Sequence, residues 1–145
     1  MVVKTFRGLL ADGAQERIKL QTSTGKVGYR IVKFQLIPNH PFIKNQECTV
    51  KIYKLFQTTV NATTDFTDND LLGVALFKQR DDTELFAYDT VVFDREIFNQ
   101  DIYITHLESF SDNSINYYLE LEVIPLASDE VAITTVKAMR GQAVD

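Results

Sequence analysis

The side chains able to do chemistry in this chain are few, and their spacing suits none of the common reactions. His40 sits in a proline-bounded turn and His106 ends an apolar run, with no second His or Cys at ligand spacing. Each reads as a surface or capping residue. Cys48 is the single cysteine, so it forms neither an internal disulfide nor a two-cysteine metal motif. Within the run Cys48-Thr49-Val50-Lys51-Ile52 it reads as a buried, inert thiol. Asp65, Asp68, Asn69 and Asp70 are oxygen donors of the kind Ca²⁺ takes, but without the spacing or the turn glycine of an EF-hand. A solvated acidic loop is the simpler reading. Ser111-Asp112-Asn113 matches one short β-lactamase element, unaccompanied by Ser-x-x-Lys or Lys-Thr-Gly. Asp94 and Glu96 could serve as a glycosidase pair, but carboxylates on turns are common. Asn61-Ala62-Thr63 fits the glycosylation acceptor pattern, which matters only in a secreted chain. There is no phosphate loop, nucleophile elbow or glycine-rich fingerprint. These patterns predict no catalytic residue, no metal and no cofactor.

Aromatic residues are the remaining lead. Tyr53 and Tyr118 fall in the outward phase of their runs, Tyr29 in the less apolar phase of its own, and Phe66 in a polar segment. Such rings can anchor a protein interface or stack on sugars. Tyrosine also simply favours strands. Tyr29, Tyr53, Tyr118 and Phe66 are therefore candidate protein-contact residues.

These side chains must be positioned by strands. In residues 114–125, Ile115, Tyr117, Leu119, Leu121 and Val123 share one face, and Asn116, Tyr118, Glu120 and Glu122 share the other. A helix would bury Glu120 and Glu122 among the apolar residues. Pro125 closes the strand. Further strands are predicted at 5–10, 17–21 (Ile18 and Leu20 inward), 29–37, 47–55 (Cys48, Val50 and Ile52 inward), 71–77, 90–94 and 101–105. In 29–37, Val32, Phe34 and Leu36 share a face, while Tyr29, Ile31 and Ile37 make the other half apolar. That predicts a central strand partly covered on both sides, or one touching another subunit. Residues 22–26 and Asp81-Asp82 read as turns. The polar segment 57–70 exceeds the usual loop length and is the first place to look for a contact surface. At the C-terminus, Ser128-Asp129-Glu130 resembles a helix N-cap with an acidic first turn, and Lys137 and Arg140 before Gly141 its end. The β-branched Val131, Ile133, Thr134, Thr135 and Val136 argue for strand instead; a short helix is preferred. Eight or nine short strands predict an all-β antiparallel β-sandwich, jelly-roll-like or Greek-key, as a single domain over 1–145.

The chain has no Trp, but ten Phe and six Tyr supply large core pieces. No apolar run approaches the roughly 20 residues that span a bilayer, and the first residues lack a signal peptide's apolar core. A cytoplasmic site of synthesis and no membrane partner are expected. Residues 1–54 carry ten Lys/Arg against three Asp/Glu, a balance of +7. Residues 55–145 carry five against seventeen, or -12, for the net -5. This asymmetry would make a basic and an acidic face unless interleaved strands mix the halves. The basic residues are scattered and the whole is acidic, so nucleic acid is not expected as a partner.

Five pieces taken in order resemble a family: residues 5–13, Gly28-Tyr29-Arg30-Ile31-Val32-Lys33-Phe34, Val50-Lys51-Ile52-Tyr53-Lys54, residues 93–105, and Asn116-Tyr117-Tyr118-Leu119-Glu120-Leu121-Glu122. They are similar to small β-rich virion-associated proteins of marine tailed bacteriophages. The resemblance spans most of the chain, and its motifs are structural. It implies a virion component assembled in the bacterial host cytoplasm, and first of all a capsid decoration (cement) protein. Its partners would be the major capsid protein or other virion proteins, and it would form a homo-oligomer, a trimer by analogy. A tail, neck or fibre component is the alternative within that class. A carbohydrate-binding module is the alternative outside it.

Overall fold

Among the described residues, alternating apolar side chains build eight strands, and a segment near the C-terminus coils into a helix. The strands are β1 (Val2–Leu10), β2 (Gln15–Ile18), β3 (Val27–Pro38), β4 (Gln46–Tyr53), β5 (Leu71–Arg80), β6 (Leu85–Val92), β7 (Ile102–Glu108) and β8 (Ile115–Pro125). The helix α1 spans Ser128–Ala138. This computed structural model describes residues 1–41, 43, 45–80 and 85–139. The turn predicted at Asp81-Asp82 and the helix end predicted at Arg140 and Gly141 lie outside them.

All ladders are antiparallel, in a three-stranded sheet of order β1-β8-β3 and a five-stranded sheet of order β2-β7-β4-β5-β6. The protein is an all-β sandwich. Its pairing is that of one long antiparallel ribbon wound on itself, the jelly-roll plan: β1 with β8, β2 with β7, β4 with β5. The remaining pair of that series, β3 with β6, forms no ladder; β6 stays hairpinned to β5 instead. One core joins the sheets, drawing Phe34, Leu119 and Leu121 from the first and Val50, Ile52 and Ile104 from the second. Across it the Tyr117 hydroxyl donates to Glu16 at 3.4 Å. The Tyr117 ring lies so close over Gly8 that a Cβ there would sit 2.8 Å from it.

Two irregularities correct the sequence reading. A bulge between Ile31 and Lys33 shifts the phase of β3, so Tyr29 and Ile31 before it and Phe34 and Leu36 after it all face the core. The strand is not covered on both sides; it is an outer strand whose apolar residues are brought to one face. The strands covered on both sides are β4 and the first half of β5. A second irregularity opposite Ile52 and Tyr53 lets Leu72 enter the core while Leu71 faces away.

In α1 the N-cap is Ala127, not Ser128, and the Glu130 carboxylate reaches back to accept from the Ala127 N–H at 3.2 Å. Asp129 and Glu130 occupy the first turn and Lys137 the last, as the dipole favours. Among the described residues no helix is long and apolar enough to cross a membrane.

Candidate functional site

Several of the chemistry-bearing residues take part in holding the fold. His106 is not at the surface: it is fully buried on the core side of β7. Its Nδ1 lies 3.1 Å from the Leu10 carbonyl and 3.2 Å from that of Ala11, so Nδ1 carries the proton and donates. Burial holds its pKa below the ordinary value. Cys48 is buried too, and burial, with the Glu108 and Asp12 carboxylates adding, pushes its thiol up to about 12. Glu108 ties the turn after β7: one oxygen accepts from Glu47 N–H at 2.7 Å, the other from Phe110 and Ser111 N–H. Ser111-Asp112-Asn113 is part of that turn, and the Asn113 amide donates to Ser111 Oγ. Glu96 pairs with Lys54 at 3.4 Å. His40 is exposed in its turn.

Residues 57–70 lie back over the outer face of the five-stranded sheet. Lys51, only 2% exposed, points into this cover, and its ammonium donates to Asn61 Oδ1 at 3.1 Å and to the Thr63 carbonyl at 2.5 Å. Burial lowers the Lys51 pKa. Gln15 and Gln57 exchange two hydrogen bonds of 2.8 Å at the start of the segment. Asp65 accepts from Thr67 N–H and Oγ, and Asp68 from Asp70 N–H, so these carboxylates shape local turns. Among the described residues no three His, Cys, Asp or Glu side chains converge as metal ligands.

The four predicted contact aromatics are not brought together. Tyr29 is buried in the core, stacked on Phe98 at 6.3 Å, with its hydroxyl donating to the Leu20 carbonyl. Tyr53 does face outward, but the covering segment leaves it 7% exposed. Neither offers a ring to a partner. Tyr118 stands half-buried on the outer face of the three-stranded sheet; its hydroxyl donates to Glu120 at 2.6 Å, and Lys33 lies over its ring. Phe66 is 56% exposed at the edge of the covering segment, packed edge-on against Phe93.

The surface that sequence reading missed lies at the seam between β3 and β6. Gln35, Leu36, Ile37, Pro38, Phe77, Phe86 and Tyr88 line an open groove of about 420 Å³ there. Ile37 and Phe86 are each more than 60% exposed. The Phe86 ring meets Phe77 edge-on at 5.5 Å, and the Tyr88 hydroxyl accepts from the Leu36 N–H at 3.2 Å. That side-chain hydrogen bond ties β6 to β3 where no β3–β6 ladder forms. The available signal was the alternation Phe86, Tyr88, Thr90, Val92, which begins the strand earlier than residue 90. The outer phase of the other sheet is charge-matched: Arg30 pairs with Glu122 at 2.9 Å, which raises the arginine pKa and lowers that of the carboxylate. No protein-family model matches the chain, and no curated protein matches it.

Proposed function

We propose that this chain is a non-enzymatic virion structural protein, a capsid decoration (cement) protein that binds the outside of a shell and reinforces it. The observation that carries the reading is the seam between β3 and β6. Large apolar side chains there stay in water around one groove between two strand edges, whereas residues 57–70 cover the second face of β4. An open apolar strip beside two strand edges suits an extended segment of a shell subunit, which can lie along an edge and fill side-chain pockets. Binding only to the assembled shell would stabilise it by mass action. The strand-by-strand resemblance to marine tailed-phage proteins points the same way. The buried roles of His106, Cys48 and Glu108 leave those groups to packing.

Quantitative mass spectrometry of purified particles tests this. A copy number comparable to that of the major capsid subunit is the expected result. A few copies per particle would move the protein to tail, neck or fibre. Absence from particles, with glycan binding by the isolated chain, would make it a carbohydrate-binding module.

A further inference from the structure

Helix α1 sits on the sandwich through a mixed face of Val131, Thr134, Thr135 and Ala138. Thr134 and Ala138 are buried, and Thr135 Oγ accepts from the Asn99 amide at 2.8 Å, the same amide that donates to the Gly25 carbonyl at 3.1 Å. Gly25 holds a left-handed φ of +67°, and a Cβ there would lie 3.1 Å from Val131 Cγ1, so the helix is seated closely on this turn. The opposite side is aliphatic and wet. Ile133 is 61% exposed and Val136 68%, with Ala132 and Met139 beside them. Positions 132, 133, 136 and 139 follow the i, i+3, i+4 spacing of one helix face. A helix that turns Thr134 and Thr135 inward and leaves Ile133 and Val136 in water is oriented for a reason beyond its own core.

The charges around this stripe say what covers it. Asp129 lies one turn before Ala132 and Ile133, and Lys137 one turn after Ile133. The two charges are eight residues apart, about 12 Å along the axis, with Ile133 midway. Such a face is complementary to itself when inverted. We propose that α1 is a self-association surface on which two copies of this chain pair antiparallel, about a two-fold axis beside Ile133. Each Asp129 then faces the partner's Lys137, the apolar stripes close on each other, and the helix dipoles oppose. A three-fold packing of the same face along the axis would gather three acidic first turns, so the charges favour a pair over the trimer expected by analogy. One short helix pair covers less than an ordinary stable interface, which makes the association weak and dependent on concentration. It does not rest on the shell-binding reading.

Sedimentation velocity over micromolar to near-millimolar chain tests it. The mass is expected to rise from one chain to two. Ile133→Asp or Val136→Asp should shift that rise at least tenfold in concentration, while the melting temperature of dilute protein stays unchanged because both side chains are already in water. The charge test fixes the orientation. Asp129→Lys alone and Lys137→Glu alone should each be monomeric, and the double variant carrying both should pair with itself but not with wild type, because a parallel contact would instead favour the mixed pair. A wild-type chain that remains monomeric throughout, forms a trimer, or pairs equally well after Ile133→Asp would overturn the proposal.

Discussion

At the scale of single residues, His106 shows how a titratable group can belong to stability rather than to catalysis. Its Nδ1–H is satisfied by the Leu10 carbonyl, but its Nε2 is buried with no hydrogen-bond partner among the described residues. Protonating Nε2 would place a charge in the core, which the carboxylates of Asp12 and Glu108 offset only in part. The folded-state pKa therefore lies below the ordinary 6.5. An unfolded chain takes up that proton at about its ordinary pKa, so below it the unfolded state binds more protons. Stability should thus fall as pH drops through about 6.5, with a slope of at most ~1.4 kcal/mol per pH unit from this one group. Urea unfolding at a series of pH values from 7.5 to 5 reads it directly. His106→Asn, which keeps a donor near Nδ1 and cannot titrate, should lower stability at pH 7.5 yet flatten the slope. An unchanged slope in the variant would assign the effect to other groups. Sequence alone put His106 at the surface because it ends an apolar run; only the pairing of Val50 with His106 shows that it continues the inward phase of β7.

At the scale of elements, what was legible followed from local periodicity, and what was not came from tertiary cover. The inward phases of Ile18 and Leu20, and of Cys48, Val50 and Ile52, were readable because alternation there is unbroken. Tyr29 was misplaced because one bulged residue, Val32, inverts the phase midway along β3. The outward phase of Tyr53 is readable from its run, but nothing local shows that residues 57–70 return to cover that face and bury Lys51. The helix was legible through its end charges despite its β-branched interior, where Thr135 Oγ bonds back to the Val131 carbonyl. The cover makes its own prediction. Lys51→Met keeps most of the apolar stem but removes the donor held by Asn61 and Thr63. The variant should lose about 1–3 kcal/mol, the usual cost of stranding buried polar partners. Amide exchange should speed up across residues 57–70 more than in β8. Equal protection of the segment in variant and wild type would show that the cover is held by its apolar contacts alone.

At the scale of the whole molecule, strand order decides both the electrostatics and the place of contact. Strands from the basic first part of the chain alternate with strands from the acidic remainder: β8 lies between β1 and β3, and β7 between β2 and β4. The sequence asymmetry is thereby mixed in space, as the Arg30–Glu122 pair illustrates, and long-range steering by opposed faces is weakened. The same order leaves the β3–β6 seam as the unfinished member of the ribbon. A seam kept open for a partner differs measurably from one that merely frays. Phe86 is mostly in water and touches Phe77 only edge-on, so Phe86→Ser should cost the isolated fold less than about 1 kcal/mol. As a central aromatic of a contact surface it should cost shell binding tenfold or more. Tyr53→Ala is the converse control, because its ring is buried under residues 57–70. It should lower the stability by a few kcal/mol of lost packing, and the melting temperature with it, while the folded fraction still binds. Thermal melts of both variants, set beside their retention on shells in a co-sedimentation assay, separate the two effects. If Phe86→Ser lowers the melt and leaves retention intact, the seam belongs to the fold and the contact surface lies elsewhere.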